Sequence, residues 1–286
     1  MTESGLRFIK SARKVPMFVS GVESSTSYSL RMLADSMQNL QRSVARLSSG
    51  SKLAWIGEDP AGAGISIKFD AEVSRLQAAR SNVGNATSFS QTQDGYLKQV
   101  AEALDRMSEL SVLAQDTTKT ASDRTAYNTE FGELEDFITA TKDKQFNGIS
   151  LFNGTALNVT TDSDGNTFTA DGINLGDADY TALAALSTTT TANAASAQTA
   201  VGNAINQVAT DRATVGGNLA RLQHTGSALL AYQDNLSAAS SQIKDIDVAY
   251  ESAHYARLSL KVQTASAILA QSNVLSQSAL RLLGIK

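Results

Sequence analysis

The chain has 286 residues, no cysteine, two prolines, 6% aromatic residues and a formal net charge of −4. That excludes disulfides, thiolate chemistry and zinc-finger spacing, and it leaves no basic footprint for nucleic acid. With so few large aromatics, long helices that share a narrow seam, or bury it against partners, are easier to build than one compact core. No segment reaches the roughly 18 apolar residues of a membrane span. Arg7, Lys10, Arg13 and Lys14 enclose too few apolar residues for an ordinary secretory signal.

In chain order, Leu30, Leu33, Met37, Leu40, Val44 and Leu47 step by three and four residues, the seam of a coiled coil that Ser48-Ser49-Gly50 stops. A second seam, Leu97, Val100, Leu104, Met107, Ser111 and Ala114, is widened by Leu110 and Leu113 and predicts a helix with more than one neighbour. From Leu157 to Leu175, Thr, Asp, Asn and Gly replace the heptads. Asp164-Gly165 between Asn158-Val159-Thr160 and Thr167-Phe168-Thr169 predicts a β-hairpin. Residues 187–200 form a low-complexity Ser/Thr/Ala stretch that leads into the longest seam, Val201 to Ile243, a helical rod of roughly 65 Å at 1.5 Å per residue.

Gly216, Gly217 and Gly226 each weaken that rod locally by about 1 kcal/mol relative to Ala, which leaves room for a kink near either site. Arg212 and Gln233 occupy seam positions, where a polar group fixes register if buried and does little at a wet edge. From Leu258 onward, Val262, Ala265, Leu269, Leu275, Ala279 and Leu282 continue a helical pattern. Leu260, Ile268, Val274, Leu280 and Leu283 place apolar groups on its other faces, which something has to cover. The fold class is mainly α: a long antiparallel helical rod or coiled coil formed by both termini, with a small β-hairpin region at its tip.

No catalytic constellation emerges, and no cofactor or metal is implied. His224 and His254 stand alone and read as ordinary surface or packing histidines. Ala61-Gly62-Ala63-Gly64 has neither the preceding strand nor the following Lys of a phosphate loop. Thr160 to Asp171 is a poor calcium loop, with Thr first, Asp twelfth and strands at its flanks, so Asp162, Asp164 and Gly165 read as turn residues.

Arg46-Leu47-Ser48-Ser49-Gly50 followed by Glu58-Asp59-Pro60-Ala61-Gly62 closely resembles the bacterial flagellin pattern of a helix ending and its turn. The resemblance continues through Gln91-Thr92-Gln93-Asp94-Gly95-Tyr96-Leu97, Glu109-Leu110 and Gln145-Phe146-Asn147-Gly148. It resumes in Ile243-Lys244-Asp245-Ile246-Asp247, Val262-Gln263 and Leu269-Ala270-Gln271-Ser272-Asn273, so both terminal thirds match in order. Ala54 and Trp55 stand where the pattern has small polar residues, and Pro60 replaces an alanine.

The resemblance implies a structural subunit that polymerises into the flagellar filament, secreted by the flagellum-specific type III route and without enzymatic activity. It implies an inner coiled coil from residues 17–57 and 250–286, and a rod domain from 58–249 with the hairpin at about 157–175. Large outer domains are absent. Residues 1–16 read as an N-terminal extension or a misassigned start. The filament-core seam is then Leu30, Leu33, Met37, Leu40, Val44 and Leu47 with Leu258, Val262, Leu269, Leu275 and Leu282.

Implied partners are further copies of the chain, an export chaperone on Leu275, Leu280, Leu282 and Leu283, a filament cap protein and hook-associated proteins. Arg106, Leu110 and Glu130 fall on the positions through which a toll-like receptor senses flagellins. The alternatives are a hook-filament junction protein and, more distantly, a secreted coiled-coil adhesin.

Overall fold

The structure is a computed structural model that describes residues 17–282, with side chains for 26–275, 277 and 278. Residues 1–16, Leu283 and the side chains of Leu280 and Leu282 lie outside what it describes. Helices dominate: α1 (Met17–Ser49), a 3-10 turn (Lys52–Ala54), α2 (Pro60–Gln115) and α3 (Ala121–Lys142) precede the strands. Strands β1 (Gln145–Phe146), β2 (Ile149–Ser150), β3 (Leu157–Thr160) and β4 (Thr167–Ala170) follow, then the short α4 (Ala178–Thr181), α5 (Thr191–Lys244) and α6 (Val248–Leu282). The chain divides into two compact units, one made of the residues up to Lys68 with those from Ala239 on, the other running from Phe69 to Ala238.

In the central unit, α2 and α5 run antiparallel. Glu72 meets Tyr232, Asp94 meets Arg212 and Gln115 meets Gln198, so residue numbers on the two helices rise in opposite directions. The second seam fills the core as the spacing predicts: Leu97, Val100, Leu104, Met107, Ser111 and Ala114 are all buried, and so is Leu110. Leu113 stays at the exposed edge. Phe131 and Ile138 of α3 pack into the same core, together with Leu151, Phe152, Ile173 and Leu175 from the strand region and Val201, Val208 and Val215 of α5. Helix α3 starts at a capping box in which Thr120 and Asp123 satisfy each other's backbone donors.

Both strand pairs are antiparallel hairpins. Asn147 and Gly148 have φ of 50° and 80°, the paired positive angles of a tight two-residue turn that closes β1 on β2. The predicted second hairpin forms with Val159 opposite Phe168. It lays Val159, Phe168 and Ala170 over Leu76, Ala79, Val83, Leu222 and Leu229, a second apolar cluster, with the Arg221 guanidinium 4.0 Å from the Phe168 ring centre. The Asp162 carboxylate accepts from the backbone of Asp164 and Asn166 at 2.9 and 2.8 Å, the turn role read from the sequence.

Helix α5 runs unbroken from Thr191 to Lys244, with Gly216, Gly217 and Gly226 inside it. Packing against α2 outweighs their propensity cost. It begins within the low-complexity stretch: Ala194 and Ala197 are fully buried, and small side chains let α5 approach its neighbours closely. The Asn128 side chain fixes the entry by accepting from the Thr188 N–H at 2.8 Å and the Ser187 hydroxyl at 3.0 Å.

Candidate assembly surfaces

The conspicuous sequence motifs hold the fold's joints. Gly50, at φ 69°, ends α1 in the left-handed conformation and donates to the Arg46 carbonyl at 2.8 Å, the stop that its sequence predicts. Arg46 pairs with Glu58 of the following turn and lies 3.8 Å from Glu251 of α6. Asp59 accepts from the Gly62 N–H at 2.8 Å and so caps α2. Pro60 is the first residue of α2, a position whose missing N–H has no helical partner to lose, so the replacement of alanine is accommodated.

Across the α1–α2 and α5–α6 connections, Ser51 bridges Asp245, and the Ile246 N–H donates to the Gly50 carbonyl at 3.2 Å. In the central unit Gln93 donates to the Leu151 carbonyl at 2.5 Å, Asp94 accepts from Arg212 at 2.9 Å, and Tyr96 sits edge-on to Phe152. Arg212 therefore stands at a seam edge with a specific partner.

The α1–α6 pair has an unusual division of faces. The two helices pack antiparallel, with Thr26 hydrogen-bonded to Ser272 at 2.9 Å and Ser43 to Glu251 at 2.5 Å. The inward heptad positions of α1 are Thr26, Ser29, Leu33, Ser36, Leu40, Ser43 and Leu47, four of the seven being serine or threonine. Leu33, Leu40 and Leu47 of the predicted seam lie on it. Leu30, Met37 and Val44 do not: they are 50%, 48% and 46% exposed.

On α6, Leu258 is buried and Val262 and Leu269 are half-buried, whereas Leu275 is exposed, as are Leu260, Ile268 and Val274. An open groove of about 500 Å³ runs along the pair between Met32, Asp35 and Asn39 on one side and Leu260, Thr264 and Ile268 on the other. His254 is half-buried in this pair, its Nδ1 3.6 Å from Glu251, while His224 is on the surface.

On the central unit Arg106 donates to Glu130 at 2.6 Å and to Glu109 at 2.5 Å. The hydrogen bond from Arg106 holds the Glu130 carboxyl below its usual range, and the same bonds hold the guanidinium in its charged form. Leu110 is 0% exposed, so of the three residues matched to receptor contacts it lies in the core and only Arg106 and Glu130 present a surface.

A charged site absent from the sequence reading is Asp211. Its buried carboxylate accepts from the Tyr180 hydroxyl at 2.7 Å and from Gln207 at 2.9 Å. Burial pushes the Asp211 carboxyl above its usual range against these two hydrogen bonds, and burial likewise raises the Tyr180 hydroxyl. Among the described residues no group of three or more His, Cys, Asp or Glu side chains could hold a metal ion, and no helix is long and apolar enough to cross a membrane.

Residues 23–156 match the family model for the bacterial flagellin N-terminal helical region, and residues 198–283 match that for the C-terminal helical region. A flagellin of Halalkalibacterium halodurans is 35% identical over 248 residues, covering 85% of this chain and 91% of the relative. The chain belongs to the bacterial flagellin family. A flagellar filament 30.7 kDa core protein of Treponema maltophilum is 28% identical over 277 residues, with 91% and 97% of the two chains covered.

A solved structure from Vibrio parahaemolyticus, described as a flagellar hook-associated protein, shares the fold at a TM-score of 0.56 and 18% identity, over 66% of this chain and 100% of that one. As a flagellin the chain is a structural subunit of the bacterial flagellar filament. The flagellin motifs around Gly50, Asp59, Gln93 and Asp245 thus act in the fold as caps, ion pairs and backbone ties.

Proposed function

We propose that the filament is built by completing the α1–α6 pair between copies. The observation that carries this reading is the placement of Leu30, Met37, Val44, Leu260, Ile268 and Leu275 on outer faces, with serines between the two helices. A pair that sets serines and threonines of α1 among its inward leucines, and leaves an apolar stripe on each helix outside, gains only part of its available burial from folding alone, so the ends order as copies stack and bury the outer stripes. Residues 17–57 and 250–286 then form the filament's inner coiled coil and residues 58–249 its rod domain. With no large outer domain, the filament is thin and comparatively smooth.

The same reading makes the chain a non-enzymatic export substrate of the flagellum-specific type III route. An export chaperone covers Leu275, Leu280, Leu282 and Leu283 before assembly, a cap protein guides folding at the tip, and hook-associated proteins join the filament to the hook. The exposed Leu275 is the described part of that chaperone surface. Receptor recognition through Arg106 and Glu130 is compatible with their exposed pairing, with Leu110 supporting α2 from beneath.

Seeded polymerisation followed by electron microscopy tests the proposal, using the full chain and a version lacking Leu258 to Lys286. Filaments from the first and none from the second are expected. Failure of the full chain to polymerise would favour the junction-protein alternative.

A further inference from the structure

Between α1 and α2 the chain presents its single tryptophan to water. Trp55 is 59% exposed and the adjacent Ile56 is 65% exposed, although both are large apolar side chains. The segment that carries them is held from several directions. Ser51 caps the 3-10 turn by accepting from the Leu53 N–H at 3.1 Å, and Lys52 reaches the Gln242 carbonyl at 3.5 Å. The Glu58 N–H donates to the Trp55 carbonyl at 3.1 Å, while the Glu58 side chain is tied to Arg46 and lies 3.9 Å from Arg42.

The display is therefore pre-organised, and ordering it on contact costs little. Val248 and Tyr250, just after the Asp245 connection that Ser51 bridges, are exposed as well. Lys52, Glu58 and Asp59 supply charged groups on either side of the Trp55-Ile56 pair. A fixed apolar centre with a polar surround is the composition of an interface hot spot, in which tryptophan is enriched.

We infer that Trp55 and Ile56 form an anchor that inserts into a neighbouring copy of this chain in the filament. The inference rests on the filament-subunit reading, which surrounds each copy with others and makes a second copy the occupant. The anchor adds to the outer stripes of α1 and α6 a contact that is rigid before assembly, and it fixes where one copy meets the next.

Because Trp55 is the sole tryptophan, its emission reports this contact directly. In filaments grown from purified chain, the emission is expected to shift to shorter wavelength and acrylamide quenching to fall several-fold relative to monomer. Trp55→Ser is expected to raise the critical concentration for polymerisation by about tenfold, a hot-spot loss, with the monomer's circular dichroism and melting unchanged.

The chain has no cysteine, so a photo-crosslinker on Ile56→Cys has one attachment point and should yield covalent dimers in filaments. Filaments in which Trp55 remains as quenchable as in monomer, an unchanged critical concentration for Trp55→Ser, or cross-links confined to one copy would each overturn the inference while leaving the filament reading intact. Absence of any filament from the full chain would overturn the filament reading and the anchor with it.

Discussion

The central unit and the α1–α6 pair use similar helices in opposite ways. Between α2 and α5 the large residues point inward: Leu97, Leu104, Met107 and Val201 are buried, α3 and the strand region close the sides, and the hairpin covers a second apolar cluster. Between α1 and α6 serines and threonines alternate with leucines inside, and Leu30, Met37 and Ile268 face out. The difference teaches that a seam read from apolar spacing identifies the stickiest stripe of a helix, and that stripe need not face the helix's own chain. A unit with its apolar stripe turned inward has little left for partners to bury; a pair with its stripe turned outward, as we propose here, is finished by other copies.

The sharpest way to break this comparison is to damage each region and read both stability and assembly. Phe152→Ala in the central core should lower the unfolding free energy of the monomer by about 3–5 kcal/mol, measured by urea denaturation. Leu30→Ser with Ile268→Ser on the outer stripes should leave that denaturation curve within about 0.5 kcal/mol of the parent. The same pair should raise the critical concentration for polymerisation by roughly a hundredfold, about 2.7 kcal/mol. A large stability loss from the outer pair would place the stripes inside the monomer's own core.

These outcomes also bear on what the sequence made legible. The helix stop at Gly50, the buried face of α2 and the 157–175 hairpin follow from local chemistry, namely a C-terminal glycine, a dense apolar period and an Asp-Gly turn. The inner face of α1 did not, because apolar counting selected Leu30, Met37 and Val44 over Ser29, Ser36 and Ser43, one position away. The start of α5 was hidden by composition: Ala194 and Ala197 resemble linker residues until close packing makes their small size the reason for burial. Leu110 widens the second seam by its spacing and is buried there, although the resemblance also sets it at a receptor-contacting position.

A smaller effect is expected at Asp211, where neither its spacing nor its neighbour Arg212 signals burial; the signal comes from Tyr180, distant in sequence. The folded carboxyl titrates above its ordinary value of 3.8, so the folded state binds the proton more readily than the unfolded one. Its contribution to stability therefore improves as pH falls through the raised value and levels off below 3.8. Asp211→Asn should flatten this part of the stability-pH profile, removing the gain in stability as pH falls through the raised value, read by thermal denaturation across pH. An unaltered profile would mean that the carboxylate is better solvated than its burial implies.

Arg106→Ala should produce the smallest change in folding. The Arg106–Glu130 pair lies in water, so monomer melting should stay within measurement error, whereas binding to a toll-like receptor should weaken if the exposed pair forms the contact. Equal binding by the variant would remove the receptor assignment.

Hydrogen exchange of monomer and filament under the same conditions tests the division of labour most directly. Amides of α1 and α6 should exchange within seconds in the monomer and become protected in the filament, while those of α2 around Leu104 are protected in both. Protection of α1 and α6 in the monomer equal to that of α2 would contradict the account, because the terminal pair would then be complete without its neighbours.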